Sequence, residues 1–257
     1  MSGKSSASAI NSKTHVFQNI EVLAGWAAGY ILSAMQETLA VQDRFAMMLS
    51  GGSTPRAVYT LLASSPYKQA VDWSQVHIFW GDERCVPPDH PDSNYRMAGE
   101  VLISKVDLPA ENVHRIRGEI PPDQAAASYE IAISSYFGSE TAFPHFDLIL
   151  LGMGEDGHIA SLFPGSPAIN ETARWVVAVD HHQPPPPLVS RVTVTLPVIN
   201  AARRVALIVA GEAKASTVAA TLTTPEKSLV LPVQRVNPVE GELVWLLDEA
   251  AAGQITY

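Results

Sequence analysis

Apolar residues recur along the chain in short continuous runs, and most of these runs end in glycine or in charge. The runs 45–49, 76–80, 146–151, 205–210 and 243–247 are short enough for strands and apolar enough for burial on both faces. Between them the spacing changes. Ile20, Leu23, Ala27, Ile31, Leu32, Met35 and Leu39 predict an amphipathic helix over 19–41. PDQAAASYEIAISSYF predicts a helix over 122–137 with an acidic start, and AVYTLLAS predicts one with Pro55 in its first turn. Further helices are expected over 94–105, over GEAKASTVAATL, and in a short tail after 247. Shorter strands are expected at 113–116, 175–179 and 192–195.

Buried strands alternating with helices predict an α/β fold. The expectation is a doubly wound, mostly parallel sheet flanked by helices, with a small additional β segment near 175–195. Residues 1–14 are rich in small and polar side chains and are expected to fray, leaving 15–257 as a single domain. HHQPPPPL, residues 181–188, reads as a stiff surface loop.

Ligands of an open parallel sheet bind beyond the carboxyl ends of its strands. Three segments qualify. SGGSTP follows the run 45–49; Gly51 and Gly52 let backbone N–H groups turn inward, and Ser53 and Thr54 add hydroxyls, as an anion cradle requires. The plain alternative is a tight turn with Ser53 or Thr54 as helix cap. GDER follows 76–80. Its Arg84 is suited to phosphate and its Asp82 to orienting a base or holding sugar hydroxyls; an ion pair of Arg84 with a nearby acid is the alternative. GMGEDGH follows 146–151 and brings Asp156 and His158. An imidazole titrates near neutrality and suits a general base for water, although a lone loop histidine more often serves structure. In an extended turn Asp156 and His158 would hardly share a hydrogen bond; in a tight glycine turn they flank one ligand. Arg191 and Lys214, each next to a strand, complete the candidate anion contacts.

Charge sharpens this picture. The formal net charge is −9, so a nucleic-acid partner is not expected, and an anionic substrate must be held by a few local cations and N–H groups. The single cysteine, Cys85, excludes an intrachain disulfide and a cysteine zinc cage. There is no HExxH pattern, so no metal is expected. No run reaches membrane-spanning length and the N-terminus has no apolar leader core, so no membrane partner and a cytoplasmic location are expected.

Together LSGGSTPRAVYTLL, FWGDERCVPPDHPDSNYRMA, FDLILLGMGEDGHIASLFPG, RVTVTLPVINAARRVALIVAGEAKA and GELVWLLDEAA resemble the glucosamine-6-phosphate isomerase/6-phosphogluconolactonase family, on its lactonase side. The resemblance runs from about Phe17 to the C-terminus. It implies a Rossmann-like, deaminase-like fold and hydrolysis of 6-phospho-D-glucono-1,5-lactone in the oxidative pentose phosphate pathway, with no cofactor. It implies that His158 activates water, that Gly51, Gly52, Ser53 and Thr54 hold phosphate or neighbouring oxygens, and that Arg84, Arg191 and Lys214 are the charged contacts. Asp82 and Asp156 are expected to orient substrate or base. The partner is then a small sugar-phosphate lactone, and the expected state a monomer or weak homo-oligomer. The absence of a GxSxG elbow favours direct water attack over an acyl-enzyme.

Two rivals stand beside this expectation. The isomerase/deaminase side of the family resembles GHIAFNEP after the histidine and DEY near the second strand end. Here these places read SLFPGS and DER, with no acid after the histidine. A non-catalytic sugar-phosphate sensor would be expected to carry a DNA-binding segment, and no helix-turn-helix is visible.

Overall fold

The computed structural model describes residues 12–138, 142–223 and 231–255. In chain order the first half comprises β1 (Ser12–Phe17), α1 (Ile20–Leu39), β2 (Phe45–Leu49), α2 (Ser53–Leu62), β3 (Val76–Trp80), β4 (Asp82–Arg84), α3 (Asn94–Val101) and α4 (Pro122–Phe137). The second half comprises β5 (Leu148–Leu151), β6 (Val176–Val179), β7 (Arg191–Val194), α5 (Leu196–Asn200), β8 (Arg204–Val209), α6 (Ala215–Thr223), β9 (Glu242–Asp248) and α7 (Glu249–Ala252).

Six strands form a parallel sheet in the order β1-β9-β8-β5-β2-β3. Every residue of β2 and β5 is buried, as a sheet covered on both faces demands. From β2 the chain proceeds to β3 on one side, and from β5 to β8 and β9 on the other. The direction reverses between β2 and β5, which opens a crevice at their carboxyl ends. The loops SGGST and GMGEDGH leave from those two ends. A second, antiparallel sheet, β4-β7-β6, stands beside the first, and α4 packs against β6 and β7.

Several expectations need correction. Ser12, Lys13 and Thr14 do not fray; they belong to β1 and pair in parallel with β9, which supplies the ladder partners the segment lacks locally. Residues 1–11 lie outside the described part. Asp82–Arg84, expected only as the end of the run 76–80, form a short strand of their own, because β7 offers them a paired edge. VTLPVIN turns helical after Val194, with Pro197 in the first turn of α5. The strand expected at 113–116 reduces to one bridge, Val113 to Ile78. Among the described residues no helix is long and apolar enough to cross a membrane.

Candidate active site

The first loop is pinned from below by Tyr59. Its buried hydroxyl accepts from Ser50 N at 2.9 Å and donates to Ser50 O at 3.0 Å. Helix α2 then begins at Ser53, with Gly52 as N-cap and no side chain capping it. Ser53 and Thr54 therefore sit in the first turn and are not spent on the cap. Gly51 leaves room for another residue: a β-carbon there would lie 2.0 Å from Asn94 Oδ1. Asn94 opens α3, is buried, and donates from Nδ2 to Asp82 O at 3.0 Å.

The second loop folds back tightly. Gly157 has φ +80°, a conformation costly for any residue with a β-carbon, and Gly154 N donates to His158 O at 2.8 Å. This turn brings Asp156 onto His158. The carboxylate oxygen Oδ1 accepts the His158 backbone N–H at 3.2 Å and stands 2.6 Å from Nδ1. Burial pushes the Asp156 carboxyl up, but its bond to the His158 ring and that ring's charge prevail and hold it below its ordinary value. An ionised Asp156 only accepts, so Nδ1 carries a proton and Nε2 is left as the basic nitrogen. Outside supports steady the loop: Thr217 Oγ1 donates to Glu155 O, and Val233 N donates to Gly157 O at 3.0 Å.

The small sheet supplies the cations. Arg84 of β4 and Arg191 of β7 are direct cross-strand partners. Like charges placed opposite each other destabilise a sheet, and the nearby carboxylates of Asp82, Glu83 and Asp92 offset that repulsion at Arg191. Arg191 is buried, and burial lowers its proton affinity while the nearby Asp82 carboxylate opposes that loss. Arg84 Nη1 donates to Asp92 O, whereas its buried Nε has no hydrogen-bond partner among the described residues. Among the described residues no acid pairs with Arg84, whose guanidinium goes to a backbone carbonyl instead. Between the arginines and the helix, buried Glu83 accepts four hydrogen bonds, from Arg84 N, Asn94 N, Tyr95 N and the Ser93 hydroxyl. It thereby ties β4 to the start of α3.

Asp82 and His158 do not hydrogen-bond. Buried Asp82 instead accepts from the Ser161 hydroxyl at 2.7 Å and faces Arg191 electrostatically. The acid that meets the histidine is Asp156.

These parts enclose one cavity of about 270 Å³, just below the usual span of small-ligand pockets, roughly 300–1,000 Å³. Gly51, Gly52, Ser53, Thr54, Asp82, Arg84, His158, Arg191 and Lys214 all line it. Asp156 does not line it and reaches it through His158. Lys214 comes from a single 3-10 turn, Glu212–Lys214, between β8 and α6. The sequence reading missed Asn94 and Ala160 as lining residues. Asn94 was legible only as the start of the helix expected over 94–105, and Ala160, at φ +47°, carries no sequence signal for its strained backbone. Among the described residues no group of three or more His, Cys, Asp or Glu side chains is placed to hold a metal.

The family model of glucosamine-6-phosphate isomerases/6-phosphogluconolactonase matches residues 18–245. The chain belongs to this family. Within it, the chain is 40% identical to the probable chloroplastic 6-phosphogluconolactonase 3 of Oryza sativa subsp. japonica, over 94% of this chain and 75% of that protein. It is also 40% identical to the 6-phosphogluconolactonase of Nostoc sp., over 88% of this chain and 91% of the relative. The 6-phosphogluconolactonase structure from Trypanosoma cruzi superposes with a TM-score of 0.85 at 30% identity, over 97% of this chain and 98% of that one. A monomeric glucosamine-6-phosphate deaminase, at 20% identity and a TM-score of 0.79, shares the fold; the match spans 94% of this chain and 99% of that one.

Proposed function

We propose that this family member hydrolyses 6-phospho-D-glucono-1,5-lactone to 6-phospho-D-gluconate, the lactonase step of the oxidative pentose phosphate pathway. One observation carries the proposal: a histidine braced by a carboxylate at 2.6 Å lines the same cavity as the cross-strand arginine pair. The first is a base for water and the second a seat for a phosphoryl anion.

The chemistry follows from these groups. His158 Nε2 takes a proton from water, whose oxygen attacks the lactone carbonyl carbon. Charge gathers on the carbonyl oxygen, and N–H groups and hydroxyls of the loop 51–54 or a nearby cation stabilise it. The tetrahedral species collapses, the ring C–O bond breaks, and the imidazolium returns its proton to the departing oxygen. Asp156 keeps the tautomer and offsets the positive ring. Arg84, Arg191 and Lys214 hold the phosphate, while Asp82 orients Arg191 and a substrate hydroxyl. Proton transfer through one positioned base is worth roughly 10²–10⁴-fold, which suffices for an already reactive lactone.

The isomerase/deaminase reaction is less well served. The Phe163 ring leans on His158, with centroids 4.7 Å apart, and among the described residues the only carboxylate that hydrogen-bonds His158 is Asp156. The proposal includes a cytoplasmic setting, supported by the single cysteine, and a monomer or weak homo-oligomer.

The test is hydrolysis of freshly generated lactone at slightly acidic pH, where spontaneous opening is slow, with product followed by its dehydrogenase. Wild type is expected to exceed background and His158→Ala to fall to near it, with or without chelator. Wild-type activity at background, with ammonia released from glucosamine 6-phosphate, would move the assignment to the deaminase side.

A further inference from the structure

The proline-rich segment after β6 has no role in the reaction described above, yet it is tied to the cavity at both ends. Most of its side chains face solvent, but His181 at its start is only 6% exposed. The His181 ring lies against Phe163, centroids 4.1 Å apart and 11° from parallel. Phe163 in turn leans on His158 at 4.7 Å and 47°. At the other end Arg191 Nη2 donates to Pro187 O at 2.8 Å, and Arg191 Nε donates to Val189 O at 3.2 Å. One loop therefore reaches the base through a single intervening ring and grips a cavity arginine directly.

The composition suits that task. Prolines have fixed φ and no N–H, so the segment loses little freedom on ordering, and its carbonyls have no ladder partner to serve. Besides Val189 O, two of the proline carbonyls are used as rigid acceptors. Pro187 O takes Arg191, and Pro185 O stands 2.6 Å from His181 Nε2, which must carry the proton because a carbonyl only accepts.

We propose that residues 181–189 form a positioning wall of the active site. Phe163 and His181 hold the plane of the His158 imidazole, and the carbonyls of Pro187 and Val189 hold the Arg191 guanidinium. The physical need is specific. Asp156 fixes His158 at one nitrogen, and the ring can still pivot about that bond; a ring packed against it removes the freedom. The planar guanidinium, gripped at Nε and Nη2, has one orientation, with Nη1 unbonded among the described residues on a side chain that lines the cavity.

The proposal rests on the lactonase reading for its kinetic consequences, and its test has a readout independent of them. Three variants are compared with wild type: His181→Ala, His181→Phe and Phe163→Leu. Steady-state kinetics are measured together with the ring-proton NMR shifts of His158, which the adjacent Phe163 ring displaces. His181→Ala is expected to lower kcat/KM by roughly 10- to 100-fold, as small misplacements of reacting groups do, and to raise KM as Arg191 loosens. His181→Phe restores the stack and kcat but not KM, because phenylalanine cannot donate to Pro185 O. Phe163→Leu, which keeps an apolar side chain there, lowers kcat with KM unchanged and abolishes the ring-induced shifts. Wild-type kcat and KM in both His181→Ala and Phe163→Leu would overturn the proposal, as would His158 ring shifts in His181→Ala equal to those of wild type. Were wild type itself inactive on the lactone, the lactonase reading would fail alone, and the NMR shifts would still decide the positioning role.

Discussion

Asp156 Oδ1 stands 2.6 Å from His158 Nδ1 although only Gly157 separates the two residues. The left-handed Gly157 makes that contact, and the contact chooses the tautomer. Asp156→Asn keeps the volume, removes the charge that offsets the imidazolium, and can present an N–H to Nδ1. Its kcat is expected to fall by on the order of 10²-fold or more, with KM and thermal stability near wild type. A kcat left unchanged would show that the carboxylate plays no part in the reaction.

The close approach of Gly51 and Asn94 yields a second expectation. In Gly51→Ala the new β-carbon displaces the Asn94 amide and breaks its bond to Asp82 O. The stability cost is about 1 kcal/mol, the worth of one ordinary hydrogen bond. The larger effect is on KM, because the residue enters the cavity mouth beside the phosphate seat. Urea denaturation and lactone kinetics on the same variant separate the two; a lowered midpoint with KM unchanged would place Asn94 in a purely structural role.

Arg191→Lys is not a mild exchange. An ammonium is a single point and cannot hold Pro187 O and Val189 O while also facing the cavity. KM for lactone is expected to rise several-fold, by about 1–2 kcal/mol of lost charge-assisted bonding, and kcat to change little. Inorganic phosphate should inhibit wild type and do so more weakly in the variant. Equal inhibition constants would remove Arg191 from the anion site.

Away from the cavity, His77 Nδ1 and His114 Nε2 share a hydrogen bond at 3.1 Å. Burial, and then the charge of its partner, pull His114 down to about 4, and burial with Arg44 lowers His77 as well. The folded state therefore resists protonation that the unfolded chain accepts. The pair's contribution is full above the ordinary histidine value near 6.5 and is lost as pH falls from there toward about 4. Denaturant midpoints measured across that window should drop for wild type and drop less for His114→Phe. Parallel curves would show that the pair does not set the acid sensitivity.

Much of the fold was readable because its signals are local. The limits of β2 and β3 coincide with the apolar runs 45–49 and 76–80, and α4 spans 122–137 as its acidic start and spacing require. The expected cavity residues were readable for a related reason: in a parallel sheet, whatever follows a buried strand reaches the same edge. Asp156 with His158 was half legible. Their proximity in sequence was plain, but the bond between them depends on the backbone turn at Gly157.

By itself, then, the chain's pattern determined the alternation of strand and helix, the parallel sheet, and the strand ends at which chemistry gathers. Those features follow from periodicity, burial and turn chemistry within a few residues. Tertiary structure decided the rest. Asp82–Arg84 is a strand only because β7 lies beside it, and only that pairing sets Arg84 opposite Arg191. Asn94 enters the space left by Gly51, and His181 reaches Phe163, because separate segments are brought together by packing. Pairings between distant segments are set by which edges and faces are left to be satisfied after the core forms, and no local run of residues records that outcome.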